Sequence, residues 1–274
     1  MKFPPLTNWE QTSRSLHQAA QILGAIRMLT RDPVPNYLEL ALRIEPDGLS
    51  TERLPSGGEV RLDFERGVVV CAPKDGRAMA VTLNGRTQAS LLESILTALN
   101  AQGQALVTQK EGSFSAAFLA ALQARNHPLI GSVEIGGTDA LEADRALGAE
   151  YVRVLNRVFT ATARWRSRLA GFVTPVVVWP EHFDLSTLWF ATEDASESAP
   201  QMNFGFAPFD AEFSRPYLYV TAYPMPEGFE KLPLPMGARW HTQGWNGAIV
   251  PYDELERSDD PEALIESVFE AIHA

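Results

Sequence analysis

Cysteine is almost missing from this chain: Cys71 is the single thiol in 274 residues. It excludes an internal disulfide, a CxxC pair and a zinc knuckle. It follows Val68, Val69 and Val70 and reads as a small packed residue. Long apolar runs are missing too, since no stretch reaches the roughly 18 apolar residues of a membrane span. The opening residues, Met1-Lys2-Phe3-Pro4-Pro5-Leu6, lack the apolar core of a secretory signal, and no Asn-x-Ser/Thr sequon occurs. These absences predict a cytoplasmic protein that does not enter a membrane. Positive charge is also in deficit. Lys+Arg number 23 against Asp+Glu 34, a net charge of -11, which repels phosphate backbones and anionic lipid surfaces. The densest basic stretch, Arg164, Arg166 and Arg168, lies on an expected helix, where two residues turn the direction by about 200°. The three cations fan out, and no nucleic-acid partner is expected. G-x-G-x-x-G, Walker, H-E-x-x-H, G-x-S-x-G and EF-hand patterns are all absent, so neither a cofactor nor a metal is expected.

What the chain does have is enough apolar content, 45%, to bury a large core. Thr7-x-x-Glu10 has capping-box spacing, and Leu16, Ala20 and Leu23 beside Ala19, Ile22 and Ile26 predict a helix from there to about Leu29. After Pro33 and Pro35 the period changes to two, with Leu38, Leu40, Leu42 and Ile44 alternating against Glu39, Arg43 and Glu45, as in a half-buried strand. Turn signals at Asp47-Gly48, Gly57-Gly58, Gly67 and Asp75-Gly76 separate further strand candidates at 49–54, 60–64, 68–71 and 78–83. Connections this short permit antiparallel neighbours only, hence a meander of about five strands. Thr87 caps a helix on Leu91, Leu92, Ile95 and Leu99, ending near Gly103.

Residues 104–137 read as a connector with a short helix, 113–125, and a loop through Pro128, Gly131, Gly136 and Gly137. A second long helix is expected from near Thr138 to about Leu169, with Gly171 as its terminator. Strands follow at 176–179, 183–190, 217–223, 239–241 and 248–250. Residues 204–213 read as irregular. Asp260-Pro261 opens a last helix. The fold class is therefore α+β, with two similar halves of helix, antiparallel meander and helix at 1–103 and 138–274, packed together. Leu49-Ser50-Thr51 and Leu185-Ser186-Thr187, each just after an aspartate (Asp47, Asp184), suggest internal duplication.

Leu16-His17, Gln21, Gly24 and Ile26-Arg27 on the first helix, followed by Asn36-Tyr37-Leu38, Asp47-Gly48-Leu49, Phe183-Asp184-Leu185, Gly205-Phe206, Ala222-Tyr223-Pro224 and Val250-Pro251-Tyr252, resemble the blocks of an uncharacterised bacterial family of unknown function, in order and over nearly the whole chain. Ala25, Val177 and Pro180 depart from its pattern of lysine, histidine and tryptophan. The resemblance implies a whole-chain fold and carries no activity, cofactor or catalytic residue with it.

Five histidines bound the acid–base options. His127, before Pro128, and His273, beside the terminus, read as surface residues. His17 forms a polar ridge with Gln21 and Gly24, one and two turns on, and either hydrogen-bonds locally or belongs to a site. His182 and Asp184 share a face if the segment is extended, where they could orient an imidazole or simply close a turn. Trp240-His241 and Trp245 offer stacking surface with polar handles. Together with Arg27, these make His17, Gln21, Arg27, His182, Asp184, Trp240 and His241 the ligand-binding candidates. The leading expectation is a small-molecule-binding or regulatory protein with its pocket between the halves. One alternative is an enzyme using His17 with His182 or Asp184. Another is an interaction module built on the four phenylalanines of 204–213.

Overall fold

The structure is a computed structural model that describes residues 2–109, 112–131, 135–210 and 212–273. Parts of the expected connector (110–111 and 132–134) and Ala211 of the phenylalanine-rich segment lie outside the described residues. The chain forms two compact units: residues 11–152 with 178–183, and residues 2–10 with 153–177 and 184–273. Helices accompany two antiparallel sheets, the α+β class expected. No described helix is long and apolar enough to cross a membrane.

In the unit around residues 11–152, helix α1 (Trp9–Thr30) is followed by strands β1 (Arg43–Glu45), β2 (Gly48–Ser50), β3 (Glu59–Asp63), β4 (Val68–Ala72) and β5 (Met79–Thr82). They pair in chain order as a meander, which is what their short connections require. The pleat sends Val60 and Leu62 inward with Val69 and Cys71, while Glu59 and Arg61 face outward. Helix α2 (Gln88–Ala101) covers the inner face, capped by Thr87, whose hydroxyl accepts from the Ser90 amide. The Cys71 thiol lies 4.0 Å from the Ile95 carbonyl, and burial pushes its pKa up to about 12. Gly48 is needed where β2 passes β3, since a Cβ there would sit 1.9 Å from the Leu62 carbonyl oxygen. The short helix α3 (Phe114–Ala124) starts at Ser113, and the Glu93 carboxylate accepts from the amides of Phe114 and Ser115.

The expected strand over 38–44 does not form as one piece. Pro35–Tyr37 makes a 3-10 turn, with Asn36 and Tyr37 in the left-handed region, and only Arg43–Glu45 joins the sheet. The carbonyls of Leu38 and Glu39 are taken by the Arg27 guanidinium, so they are lost to a ladder. Leu42 instead makes a single bridge to Val178, with hydrogen bonds of 2.8 and 3.0 Å. The second long helix, α4 (Arg145–Arg166), starts seven residues later than expected. Residues 138–144 are spent on backbone contacts such as Leu141 to the Arg86 carbonyl, and Asp144 then caps the helix, accepting from the amides of Ala146 and Leu147.

The other unit carries β6 (Phe172–Val173), β8 (Asp184–Phe190), β9 (Gln201–Ala207), β10 (Tyr217–Tyr223), β11 (Arg239–His241) and β12 (Gly247–Pro251), in the spatial order β11-β12-β10-β9-β8-β6. Strand β7 (Val177–Trp179) supplies the Leu42 bridge in the first unit. Strand β9 corrects the reading of 204–213 as irregular. Phe204 and Phe206 alternate inward there, and Phe204 packs on Trp165 of α4 and Phe269 of α6 (Pro261–His273) at 4.1 and 5.3 Å. Asp260 caps α6 by accepting from the Ala263 amide. A short helix, α5 (Tyr252–Arg257), precedes it. The strand order here differs from the simple meander of the first sheet, so the shared string of elements does not extend to shared topology and lends duplication no support.

Candidate functional site

Arg27, on the last turn of α1, is buried and organises the ground around it. Its Nε donates to the Glu39 carbonyl (2.8 Å), Nη1 to the Thr51 carbonyl (2.6 Å) and Nη2 to the Leu38 carbonyl (3.1 Å), and Nη1 also reaches Glu52 Oε2 at 3.2 Å. Only a planar fork of five donors can serve three carbonyls and a carboxylate at once. Burial, then the neighbouring Arg31 charge, lower its pKa to about 10, which still leaves it charged at neutral pH. Glu52 meets it by adopting a left-handed conformation, φ 55, steadied by its amide donating to Ser50 Oγ at 2.8 Å.

Beside this clamp opens a polar groove of about 530 Å³, walled by Arg43 of β1, Glu59 and Arg61 of β3, and Arg31, Glu52 and Arg53. The register explains it. Arg43, Ser50 and Arg61 stand in one row across β1, β2 and β3, so two long cations rise on either side of a short residue. At ordinary strand spacing their Cα atoms are about 10 Å apart. Glu52 pairs with Arg27 and Arg31, at 3.2 and 3.7 Å, and Arg43 with Glu45 at 3.3 Å. Among the described residues Arg53 and Arg61 have no ion-pair partner, and Arg61 Nε is closed to solvent without a hydrogen bond. Arg31 is anchored by donating to the Thr51 and Arg53 carbonyls.

The other candidates on α1 hold the fold together. His17 Nε2 lies 3.1 Å from both the Pro180 and Glu181 carbonyls, so it carries the proton and donates to them. The ring stacks on Phe183 at 5.6 Å. Burial lowers its pKa to about 4. The notch at Gly24, two turns on from His17, is filled by Pro180: a Cβ there would lie 2.3 Å from the proline ring. The ridge of His17 and Gly24 is thus the seat of the turn at 180–183. Gln21 Oε1 accepts from Gln88 Nε2 (3.1 Å), and Gln88 Oε1 in turn accepts from the amides of Gly136 and Gly137. His182 and Asp184 do not share a face, because Phe183 between them is left-handed, φ 59; His182 is exposed and Asp184 buried.

Asp184 belongs to a second cluster, on the sheet of the other unit. The Tyr219 hydroxyl donates to its Oδ2, and Asn203 Nδ2 donates to the same hydroxyl at 3.2 Å. To reach β8 from β10 the Tyr219 ring crosses β9 above Gly205, where a Cβ would stand 2.3 Å from the ring. Burial and the Asp184 carboxylate raise the phenol's pKa well above its usual value. Trp245 lies over Gly247 in the same way. Trp240 and His241 are adjacent on β11 and point to opposite faces: Trp240 packs on Phe229 and donates to the Leu232 carbonyl, while His241 packs on Trp245 and lies 3.3 Å from Glu212. Four strand steps separate His241 from Asp184, about 19 Å across the sheet before their offset along the strands is added.

Two histidines read as surface residues are not. His127 is buried, with Nε2 donating to Glu39 Oε1 at 2.7 Å and Nδ1 accepting from the Leu129 amide. His273 packs edge-on to Trp189 and Trp165. Sequence reasoning also missed Arg43, Arg53, Glu59 and Arg61, because it searched for rare residue types. The available signal was the outward charges of adjacent strands, Arg43-x-Glu45 and Glu59-x-Arg61. Among the described residues no group of three or more His, Cys, Asp or Glu is placed to hold a metal ion.

The chain belongs to a family of unknown function, DUF5996, whose model matches residues 3–114 and 138–274. Comparison with curated proteins and with solved structures returned no match.

Proposed function

We propose that this member of the family is a non-catalytic, small-molecule-binding protein whose ligand is a small carboxylate or phosphate held in the groove beside Arg27. The observation that carries this is the pair Arg53 and Arg61, which face the groove with no carboxylate partner among the described residues, in a chain of net charge -11. The groove's volume of about 530 Å³ lies in the range of small-molecule sites. Guanidinium pairs favour carboxylate and phosphate because the fork matches two oxygens at once.

The enzyme reading that pairs His17 with His182 or Asp184 is weakened at His17 itself. His17 is neutral above about pH 4 and spends its Nε2 proton on two carbonyls, and His127 has both ring nitrogens engaged. A general base needs a free nitrogen within reach of its substrate. The interaction-module reading is weakened at two of its four phenylalanines, Phe204 and Phe206, which are buried in their own unit.

In an open groove screened by salt, affinity in the range of about 0.1–1 mM is expected. Titration calorimetry with glutarate and with inorganic phosphate tests this on the full chain. Saturable binding that weakens about tenfold in an Arg53→Gln/Arg61→Gln variant supports the proposal. No saturable heat up to roughly 10 mM of either anion, or undiminished binding in the variant, refutes it.

A further inference from the structure

The charges left over in the groove specify more than an anion, and the ligand they select rests on the anion-binding reading of the same groove. Glu52 is held by Arg27 and Arg31, and Glu45 by Arg43. Three ionised groups lining the groove then lack an ion-pair partner among the described residues: Arg53, Arg61 and Glu59. Glu59 and Arg61 are two apart on β3, on the same face and about 6.8 Å apart along the strand. Glu59 and Arg61 are both half-buried, so neither side chain is fully solvated in the absence of a ligand.

A ligand complementary to two guanidiniums and one carboxylate carries two anionic groups and one cationic group, with the cation within one side chain's length of an anion. We infer that the groove selects an acidic α-amino acid, with its ammonium group facing Glu59 and its two carboxylates facing Arg61 and Arg53. A plain dicarboxylate presents no cation to Glu59. A neutral amino acid leaves one arginine unmatched. Glu59 is then the specificity residue and the arginines the affinity residues. No bond is made or broken, and the groups act by charge and hydrogen bonding alone.

The test compares L-glutamate with glutarate, which lacks only the amino group, by calorimetry on the full chain and on three variants. For the wild type, L-glutamate is expected to bind about fivefold more tightly than glutarate, the scale of one partly exposed ion pair. In Glu59→Gln that preference disappears because L-glutamate weakens, while in Arg61→Gln both ligands weaken together. Arg53 is exposed, so Arg53→Gln repeats the affinity arm at a position that does not bear on folding, and a melting curve on each variant identifies any loss that comes from unfolding. If glutarate binds as tightly as L-glutamate, or the preference survives Glu59→Gln, the amino-acid inference fails while the anion site stands. If neither ligand gives saturable heat, the amino-acid inference fails, and if inorganic phosphate gives none either, the anion site itself fails.

Discussion

Replacing Arg27 by methionine removes the fork that joins the end of α1 to residues 38–39 and 51–52. Of the carbonyls it serves, that of Glu39 accepts in buried surroundings and that of Leu38 in partly buried ones, while that of Thr51 keeps a second donor in Arg31. A buried acceptor left without a donor costs about 1–3 kcal/mol, so Glu39 with a smaller share from Leu38 comes to about 3 kcal/mol. Methionine escapes the desolvation that lowers the arginine's pKa to about 10, which returns part of this. A net loss of about 2 kcal/mol is expected, with little added from Glu52, which is half-exposed and keeps Arg31 as a partner. With a urea m-value of about 2 kcal/mol/M, the midpoint moves down by about 1 M. Arg27→Lys keeps the charge but gathers its donors at one point, so it recovers less than half of the loss. A shift smaller than about 0.3 M for the methionine variant, or full recovery with lysine, would show that the carbonyls are satisfied in some other way and that Arg27 is not the clamp.

Three further outcomes are expected. The folded pKa of His17, about 4, lies below the unfolded value of about 6.5. Above pH 6.5 both states are neutral and the stability is full; between 6.5 and 4 the unfolded chain takes a proton that the folded one refuses, and about 2–3 kcal/mol is lost. His17→Gln keeps a donor for the Pro180 and Glu181 carbonyls, so its urea midpoint changes less between pH 7.5 and 4.5; an equal change in both proteins contradicts the assignment. Gly205→Ala drives a methyl group into the Tyr219 ring and lowers stability by about 1–3 kcal/mol, whereas Gly85→Ala, with open space around its Cβ, tests the separate effect of a positive φ on an exposed turn. Cys71, buried with its pKa pushed up to about 12, does not react with a thiol reagent at pH 8 until the chain is unfolded, when one equivalent reacts; rapid reaction of native protein refutes the burial.

The first meander was legible because glycine turns separate its strands and the connections are too short for parallel crossovers; that is local information. The strand expected at 38–44 had clear period-two alternation and failed, because a residue eleven or more positions upstream, Arg27, captures its carbonyls. Strand β9 was missed for a related reason: its aromatic residues follow the correct alternation, but the polar run before Gln201 hid the start. The candidate site was less legible still. Arg27 was chosen from the family-like helix and proves to be the groove's support, whereas Arg61 and Arg43 become neighbours only through the register of β1, β2 and β3. Rarity drew attention to His17, Gln21 and Trp240, each of which the fold uses to tie down a turn or cover a ring.

The seat that α1 offers to residues 180–183 also sets an order of events during synthesis. The turn joins the same unit as residues 11–152, yet the ribosome delivers it only after the whole of α4 has been made. Until then the Gly24 notch is open and His17 has not met the Pro180 and Glu181 carbonyls. Phe64 and Tyr151 also wait for Phe183, which packs on them at 6.0 and 6.2 Å. A fragment cut at residue 137 or 152 therefore exposes an unfinished apolar surface, and expression of the first sheet on its own calls for a chain that runs to residue 183 or for a linker that supplies this turn.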